Sequence, residues 1–342
     1  MERERLFGKT LSELSVITEN ASLPPYTAKQ IAGWLYRRGA PEIRGMTDLS
    51  LATRNMLEKG YETGLIAPES VAAGSDGTRK YLFRITGNRF IETAYIPDRD
   101  RATVCISVQS GCRMGCGFCM TARQGFQGNL TTNEILNQFR SLPEHESLTN
   151  IVFMGMGEPL DNLEEVLRSL EILTSEWGYG WSPTRITVST VGITGKIKEF
   201  LEKSRVHLAV SLHSPFDEER QRLMPVQKAH PVRDILDTVR SFDFGRQRRV
   251  SFEYIVFQGV NDSPSHVREL ARILNGIRCR INLIRFHAIP GSGYASPGMT
   301  EMEDFRDRLN AKGITATIRA SRGEDIGAAC GLLSTLEQNK NK

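Results

Sequence analysis

The chain has 342 residues, 39% of them hydrophobic, and its 44 basic residues against 40 acidic ones leave a formal charge of +4. That length can bury a large core in one big domain with a smaller companion, and the mild positive charge is compatible with an RNA partner without demanding one. No run approaches the roughly eighteen apolar residues of a membrane span, and residues 1–10 alternate charges where a signal peptide needs an apolar stretch, which predicts a cytoplasmic protein with no membrane partner.

Residues 1–74 predict a small helical unit. Leu11-Ser-Glu-Leu14, then Tyr26 to Tyr36 after the Pro24-Pro25 break, then a start at Asp48-Leu-Ser-Leu51, carry apolar positions at helical spacing. Lys29, Arg37 and Arg38 on its faces could meet a phosphate backbone or simply be solvated. Residues 75–101 change to a β-hairpin linker, with strands at 79–84 and 89–96 around the turn Thr86-Gly87-Asn88. From 102 to 342 strands and helices alternate. Strands are predicted at 103–108, 150–154, 185–189, 206–212, 249–257, 280–286 and 314–319, with helical patterns between them and a last helix at 325–337. Repeated βα units of this length specify a parallel sheet, and a sheet closed or partly closed into a barrel gathers its functional loops at the C-terminal ends of its strands.

The six cysteines are too few and too clustered for a secreted disulfide framework. Three of them, Cys112, Cys116 and Cys119, share the glycine-rich segment Gly111-Cys-Arg-Met-Gly-Cys-Gly-Phe-Cys119 directly after the first parallel strand. Thiolates bind soft metals, and a structural zinc site wants four ligands, whereas the next Cys or His along the chain is the distant His145. An iron–sulfur cluster held by three cysteines keeps one iron free for a substrate. A cluster, a zinc ion and plain packing of three small hydrophobes all remain readings of the spacing alone. After the second strand comes Met154-Gly-Met-Gly-Glu-Pro159, whose glycines allow close backbone approach and whose Glu158 can accept from an ammonium group. Ser189, Ser211 and His213, and His287 follow the third, fourth and sixth strands, so the chemically suggestive residues fall on one rim.

A three-cysteine loop after the first strand and a Gly-Glu turn after the second resemble the radical S-adenosylmethionine superfamily, which implies an α/β fold with a partial (β/α)6 barrel. Residues 92–97, 101–112, 124–130 and 320–331 more closely resemble the bacterial 23S rRNA and tRNA adenine-C2 methyltransferases, over nearly the whole chain. That resemblance implies one [4Fe-4S] cluster on Cys112, Cys116 and Cys119. It implies two molecules of S-adenosylmethionine per methylation, bound by Gly157, Glu158, Ser189, Ser211, Leu212, His213 and His287, the last standing where many relatives carry Asn. It also implies catalytic roles for Cys330, Cys105 and Glu92. Cys330 would carry a methyl group, Glu92 would take the C2 proton, and Cys105 would release the RNA by forming a disulfide with Cys330. Expected partners are 23S rRNA, tRNA and an electron donor of flavodoxin or ferredoxin type, with a monomeric enzyme. Taken by context alone, Cys105 reads as a buried small hydrophobe, Cys330 as a close-packing residue and Glu92 as a solvated strand residue. Cys279 predicts core packing. Arg246, Arg248, Arg249, Arg278, Arg280, Arg285, Arg319 and Arg322 supply a basic surface for RNA. The related adenine-C8 methyltransferases share the cluster and both catalytic cysteines, but residues 120–126 look more like the C2 enzymes. A non-catalytic zinc protein that binds RNA would leave Glu158, Cys105 and Cys330 unexplained.

Overall fold

A computed structural model describes residues 3–245 and 247–336. Its frame is one ten-stranded sheet whose spatial order is the chain order. The strands are β1 (Ser70–Ala73), β2 (Arg79–Ile85), β3 (Arg89–Asp98), β4 (Arg101–Cys105), β5 (Asn150–Phe153), β6 (Ile186–Thr190), β7 (His207–Ser211), β8 (Val250–Val256), β9 (Cys279–Arg285) and β10 (Ala316–Arg319). β1 to β4 pair antiparallel, and β4 to β10 pair parallel throughout. A doubly wound sheet reverses its strand order at a switch point. Here every parallel strand adds on the same side of its predecessor, the winding of a barrel whose crossovers all turn one way. The ends, β1 and β10, are not hydrogen-bonded to each other, so the barrel is partial.

The hairpin is part of this sheet rather than a bare linker: β3 pairs with β4 from Ala94↔Cys105 to Asp98↔Arg101. The end of the hairpin away from the Thr86-Gly87-Asn88 turn, with the β1–β2 connection, also holds residues 322–325. Asp76 Oδ2 accepts from Gly323 N at 2.9 Å, Asp325 Oδ2 accepts from Ser75 N at 2.8 Å, and Arg322 pairs with Asp98 at 2.9 Å.

The crossover helices are α5 (Thr132–Arg140), α6 (Leu163–Thr174), α7 (Thr194–Lys203), α9 (Val232–Arg240), α10 (Pro264–Ile273) and α11 (Met299–Ala311), with short α4 (Met120–Gln124) and α8 (Asp217–Leu223) inside loops that follow the C-terminal ends of β4 and β7. The capping box read from Thr131 and Glu134 starts α5. The N-terminal helices are α1 (Leu11–Asn20), α2 (Thr27–Ala32) and α3 (Leu51–Gly60). α2 runs on as a π-helical stretch, Gly33–Arg38, that ends at left-handed Gly39, so the predicted helix to Tyr36 changes pitch midway. These helices dock on α5 and α6. Asn133 Nδ2 donates to Phe7 O and Gly64 O at 2.9 Å each, and Arg168 pairs with Glu13. Leu6, Phe7, Leu14, Ile31 and Leu57 belong to the same apolar core as the barrel strands.

One element departs outright from the sequence reading. Residues 325–335 are turns, not a helix; residues 337–342 lie outside the described residues. The segment has apolar residues at helical spacing, but Gly327 and Gly331 take φ 63° and 84°, which a right-handed helix does not allow.

Candidate active site

Side chains alternate across a strand, so one face of each parallel strand looks into the barrel. Cys105 on β4, Ser189 on β6, Ser211 on β7, Glu253 and Ile255 on β8, Ile284 on β9 and Arg319 on β10 line a single cavity. Met154, just after β5, joins them. Loops at the strand ends add Cys112, Cys116, Cys119, Gly157, Glu158, His213, His287 and Cys330. Every predicted site residue except Glu92 and Leu212 therefore faces one space.

The cysteine loop and the Cys330 segment are bound to each other. Met120 N donates to Gly331 O at 2.8 Å, Thr121 Oγ1 to Leu333 O at 2.7 Å, and Thr335 N to Gln124 Oε1 at 2.9 Å. A β-carbon at Gly331 would stand 3.3 Å from Phe118 O, so the small residue allows this close approach. Burial pushes the Cys112 thiol up to about 12, raises Cys119 and holds Cys116 well above the usual thiol range, and the charge of other cysteines adds to all three. A cationic centre is what would keep three such thiols ionised together. Among the described residues no three Cys, His, Asp or Glu side chains converge as one metal ion requires. Three cysteines spread along one loop against a shared cavity, without a fourth ligand, fit a multi-iron cluster better than a single zinc ion.

Glu158 is buried, and its carboxyl accepts from Thr190 Oγ1 at 2.6 Å, Val191 N at 2.8 Å and Leu160 N at 3.0 Å. Burial outweighs these three donors and pushes its pKa up to about 7. An ammonium group beside it would restore the charged form. Gly157 takes φ 96°, and a β-carbon there would meet Gln109 at 2.5 Å. That turn delivers Glu158 to the cavity, as Glu158 N donating to Gln109 Oε1 at 2.9 Å also shows.

His213 sits in the left-handed region at φ 55°. Its Nδ1 accepts from Ile255 N at 3.0 Å, which places the ring proton on Nε2 as a donor. Burial, with Arg220 nearby, lowers its pKa to about 3. A depressed histidine pKa gives stability that is complete above the unfolded value near 6.5 and drains away as pH falls toward the folded one. Between pH 6.5 and 5 the His213 contribution is expected to fall by about 2 kcal/mol. Anaerobic chemical denaturation of wild type and His213→Gln at pH 7 and pH 5 checks this; the same stability difference at both pH values would contradict it.

Cys105 is buried and pushed up to about 12, by burial first and then by the charge of Cys330, while Arg319 pulls the other way. Ala94 and Ala328 pack beside it. Cys330 is half-buried. All six cysteines are free thiols, so a Cys105–Cys330 bond is not part of this structure. His287 is buried, with Nδ1 3.3 Å from Glu324 Oε1 but outside hydrogen-bond geometry.

Two predicted residues stand apart from the cavity. Leu212 is a core side chain whose backbone carbonyl accepts from Arg220 Nε at 3.1 Å. Glu92 is buried behind the C-terminal turn, paired with Lys80 at 3.0 Å and accepting from Ser334 N at 2.9 Å. Cys279 packs half-buried against the core, away from the site.

Three residues escaped sequence reading or were misplaced by it. Arg220 is fully buried and donates to Val191 O, Ser211 O and Leu212 O at 2.7, 3.0 and 3.1 Å, fastening the loops after β6 and β7 to each other. Burial lowers its pKa to about 10. Glu253 is a buried carboxyl in an apolar strand. Arg319, read only as a basic surface residue, lies inside the cavity, where the charge of Cys330 raises its pKa. The basic set also divides. Arg248 is spent on the structure, donating to Leu201 O and Val206 O at 2.8 and 2.9 Å. Arg249, Arg278 and Arg280 sit at the N-terminal ends of strands, opposite the cavity, while Arg285 and Arg322 lie near its rim. Arg246 lies outside the described residues.

This winding, with three cysteines and a Gly-Glu turn on the C-terminal rim, defines a radical SAM protein. Residues 106–272 match the family model described as the Radical SAM superfamily, and residues 5–62 match the ribosomal RNA large subunit methyltransferase N-terminal domain. The chain is 56% identical over 335 residues, 98% of both chains, to the "Probable dual-specificity RNA methyltransferase RlmN" of Parabacteroides distasonis. It is 43% identical to the "Dual-specificity RNA methyltransferase RlmN" of Syntrophus aciditrophicus, covering 98% of this chain and 97% of that one. The crystal structure of a radical SAM methyltransferase from Sphaerobacter thermophilus superposes with a TM-score of 0.90 at 39% identity, covering 96% of this chain and 99% of that one. The chain belongs to the RlmN family of radical SAM methyltransferases.

Proposed function

We propose that this enzyme methylates C2 of adenosine in both 23S rRNA and tRNA, in the cytoplasm, with Cys330 as the methyl carrier. The observation that carries the reading is the meeting of Cys105 and Cys330, remote in sequence, in the cavity that also holds the three-cysteine loop. Aromatic C2 is too electron-poor to displace a methyl group from a sulfonium, so the methyl must pass through a nucleophile and then a radical. When bound at Cys112, Cys116 and Cys119, a [4Fe-4S] cluster supplies, with S-adenosylmethionine, the electron and the 5′-deoxyadenosyl radical that this chemistry needs.

The chain's own residues divide the remaining work. Cys330 sulfur displaces a methyl group from one S-adenosylmethionine. Glu158, Ser189, Ser211, His213 and His287 orient the second molecule through polar groups on the cavity wall. Hydrogen abstraction from S-methyl Cys330 leaves a carbon radical that bonds to C2, joining protein and RNA, and this adduct gives up one electron, which the cluster would take back when bound. Glu92 takes the C2 proton once it exchanges its contact with Lys80 or Ser334. Cys105 then attacks Cys330 sulfur, which releases methylated RNA and leaves a disulfide. An external donor of flavodoxin or ferredoxin type supplies the electron for radical formation, and reduction of the disulfide resets the enzyme.

Mass spectrometry of rRNA and tRNA from a strain deleted for this gene tests the reading. Loss of 2-methyladenosine from both RNAs is the expected result. Loss of 8-methyladenosine instead would favour the C8 reaction, and unchanged RNA would refute both.

A further inference from the structure

Glu253 stands in the cavity wall with one oxygen fully engaged and the other free. Its Oε1 accepts from Asn282 Nδ2 at 2.8 Å and Ser251 Oγ at 3.0 Å, and Asn282 Oδ1 is itself held by Thr317 Oγ1 at 3.1 Å. These donors come from β8, β9 and β10, so the carboxyl is locked in orientation by three strands. Its Oε2 is buried and has no hydrogen-bond partner among the described residues, although only 3% of the residue is exposed. An acceptor locked and desolvated in this way is costly unless a ligand supplies the donor.

Arg319 presents the complementary defect. Its guanidinium lines the same cavity, forms no ion pair among the described residues, and its one hydrogen-bond acceptor there is Met154 Sδ at 3.2 Å. Glu253 and Arg319 share the space without bridging it. The walls beside them are aliphatic, with Ile255 and Ile284 paired in register on β8 and β9. A flat ring with a donor next to an acceptor on one edge suits such a gap. Adenine has that edge, in its N6 amine beside N1 or N7.

We propose that Glu253 accepts, through Oε2, the exocyclic amine of an adenine bound in the cavity, with Arg319 donating to the adjacent ring nitrogen. Guanine or hypoxanthine would turn a carbonyl oxygen toward Oε2, acceptor against acceptor, so the subsite selects adenine. This inference depends on the function proposed above for the presence of an adenine. Both S-adenosylmethionine and the target nucleoside carry one, and the test separates them.

Glu253→Gln is the discriminating variant. The two donors on Oε1 fix the amide oxygen there, so the amide nitrogen would face the incoming amine as donor against donor. Reconstituted holoenzyme is assayed in two arms. The first reads RNA-independent methylation of Cys330 with S-adenosylmethionine or its analogue bearing purine in place of adenine. The second reads methylation of a substrate RNA carrying adenosine or purine riboside at the target position. Comparing wild type with the variant in each arm cancels the intrinsic reactivity of the analogue.

In one arm wild type is expected to lose about tenfold or more in kcat/KM when the amine is removed, and Glu253→Gln to lose less than about twofold. The responsive arm identifies which adenine occupies the subsite. Equal losses in wild type and variant in both arms, or no loss in wild type in either, overturn the proposal. If Glu253→Gln fails to hold its cluster, Glu253→Asp withdraws the oxygen by one methylene and is expected to show the same loss of discrimination. Wild type that leaves RNA unmethylated refutes the proposed function, while the first arm, needing no RNA, still reads Glu253.

Discussion

Cys330→Ala is expected to abolish RNA methylation while the protein keeps its iron and sulfide. The side chain is half-buried and lies on a turn, outside every strand and helix of the barrel, so removing one sulfur deletes no major packing element. The contacts that fasten the turn are made by main-chain groups of its neighbours: Gly331 O with Met120 N, Ala328 N with Gly323 O, and Leu333 O with Thr121 Oγ1. None of them uses the Cys330 side chain. The chemistry, by contrast, has no substitute. Cys105 is the other thiol outside the cysteine loop that faces the cavity, and its burial, which raises its pKa to about 12, keeps it protonated and a poor acceptor of a methyl cation. The loss should therefore be complete in a product assay by mass spectrometry, with visible absorbance and iron content matching wild type. Continued methylation of RNA by the variant would remove Cys330 from the carrier role.

Much of the frame was legible because local pattern and tertiary context agree. Each of the seven parallel strands lies close to where its apolar run predicted it, since a strand buried on both faces leaves a continuous hydrophobic signature. The hairpin followed from Thr86-Gly87-Asn88, which needs positive φ at Gly87 and Asn88. The missed elements follow a different logic. Residues 325–335 carry helix-like apolar spacing, and only the left-handed glycines at 327 and 331 decide against it; their presence in the sequence was the available signal. Arg220 sits in Asp217-Glu-Glu-Arg-Gln-Arg222, which reads as a solvated charged face, yet its backbone position turns it into the loop contacts. Glu253 is the instructive case. A carboxyl between Phe252 and Tyr254 in a strand buried on both faces cannot be solvated, and that alone marks it for a partner or a ligand. Arg319 could not be told from the surface arginines, because its inward direction depends on β10 closing the parallel series beside β9.

Cys105→Ala is expected to stall the enzyme after bond formation, leaving RNA covalently attached through Cys330. The geometry separates the two cysteines by task. Cys105 is the last residue of β4, fixed by pairing with Ala94 on one side and Val152 on the other, whereas Cys330 belongs to a turn built of small residues. A rigid thiol and a carrier on a turn suit a resolving step, in which the attacking sulfur waits in place while the loaded segment is presented to it. High pKa at Cys105 is then useful, since a protonated thiol leaves the earlier methyl and radical steps undisturbed. Arg319 favours the thiolate form of Cys105, against burial and the charge of Cys330. From its methylation onward Cys330 sulfur carries no charge, so the positive field of Arg319 acts on Cys105 without that competing negative charge. The carbon–sulfur bond then breaks by attack at Cys330 sulfur, with the electron pair returning to the adenine-bound carbon, which takes up a proton from solvent to become the methyl group. In Cys105→Ala no thiol is placed for that attack, so each enzyme should consume one RNA and migrate with it on a denaturing gel. Nuclease digestion and peptide mass spectrometry should place the adduct on the peptide containing Cys330. Free methylated RNA with multiple turnover in this variant would remove Cys105 from the mechanism and assign release to another group.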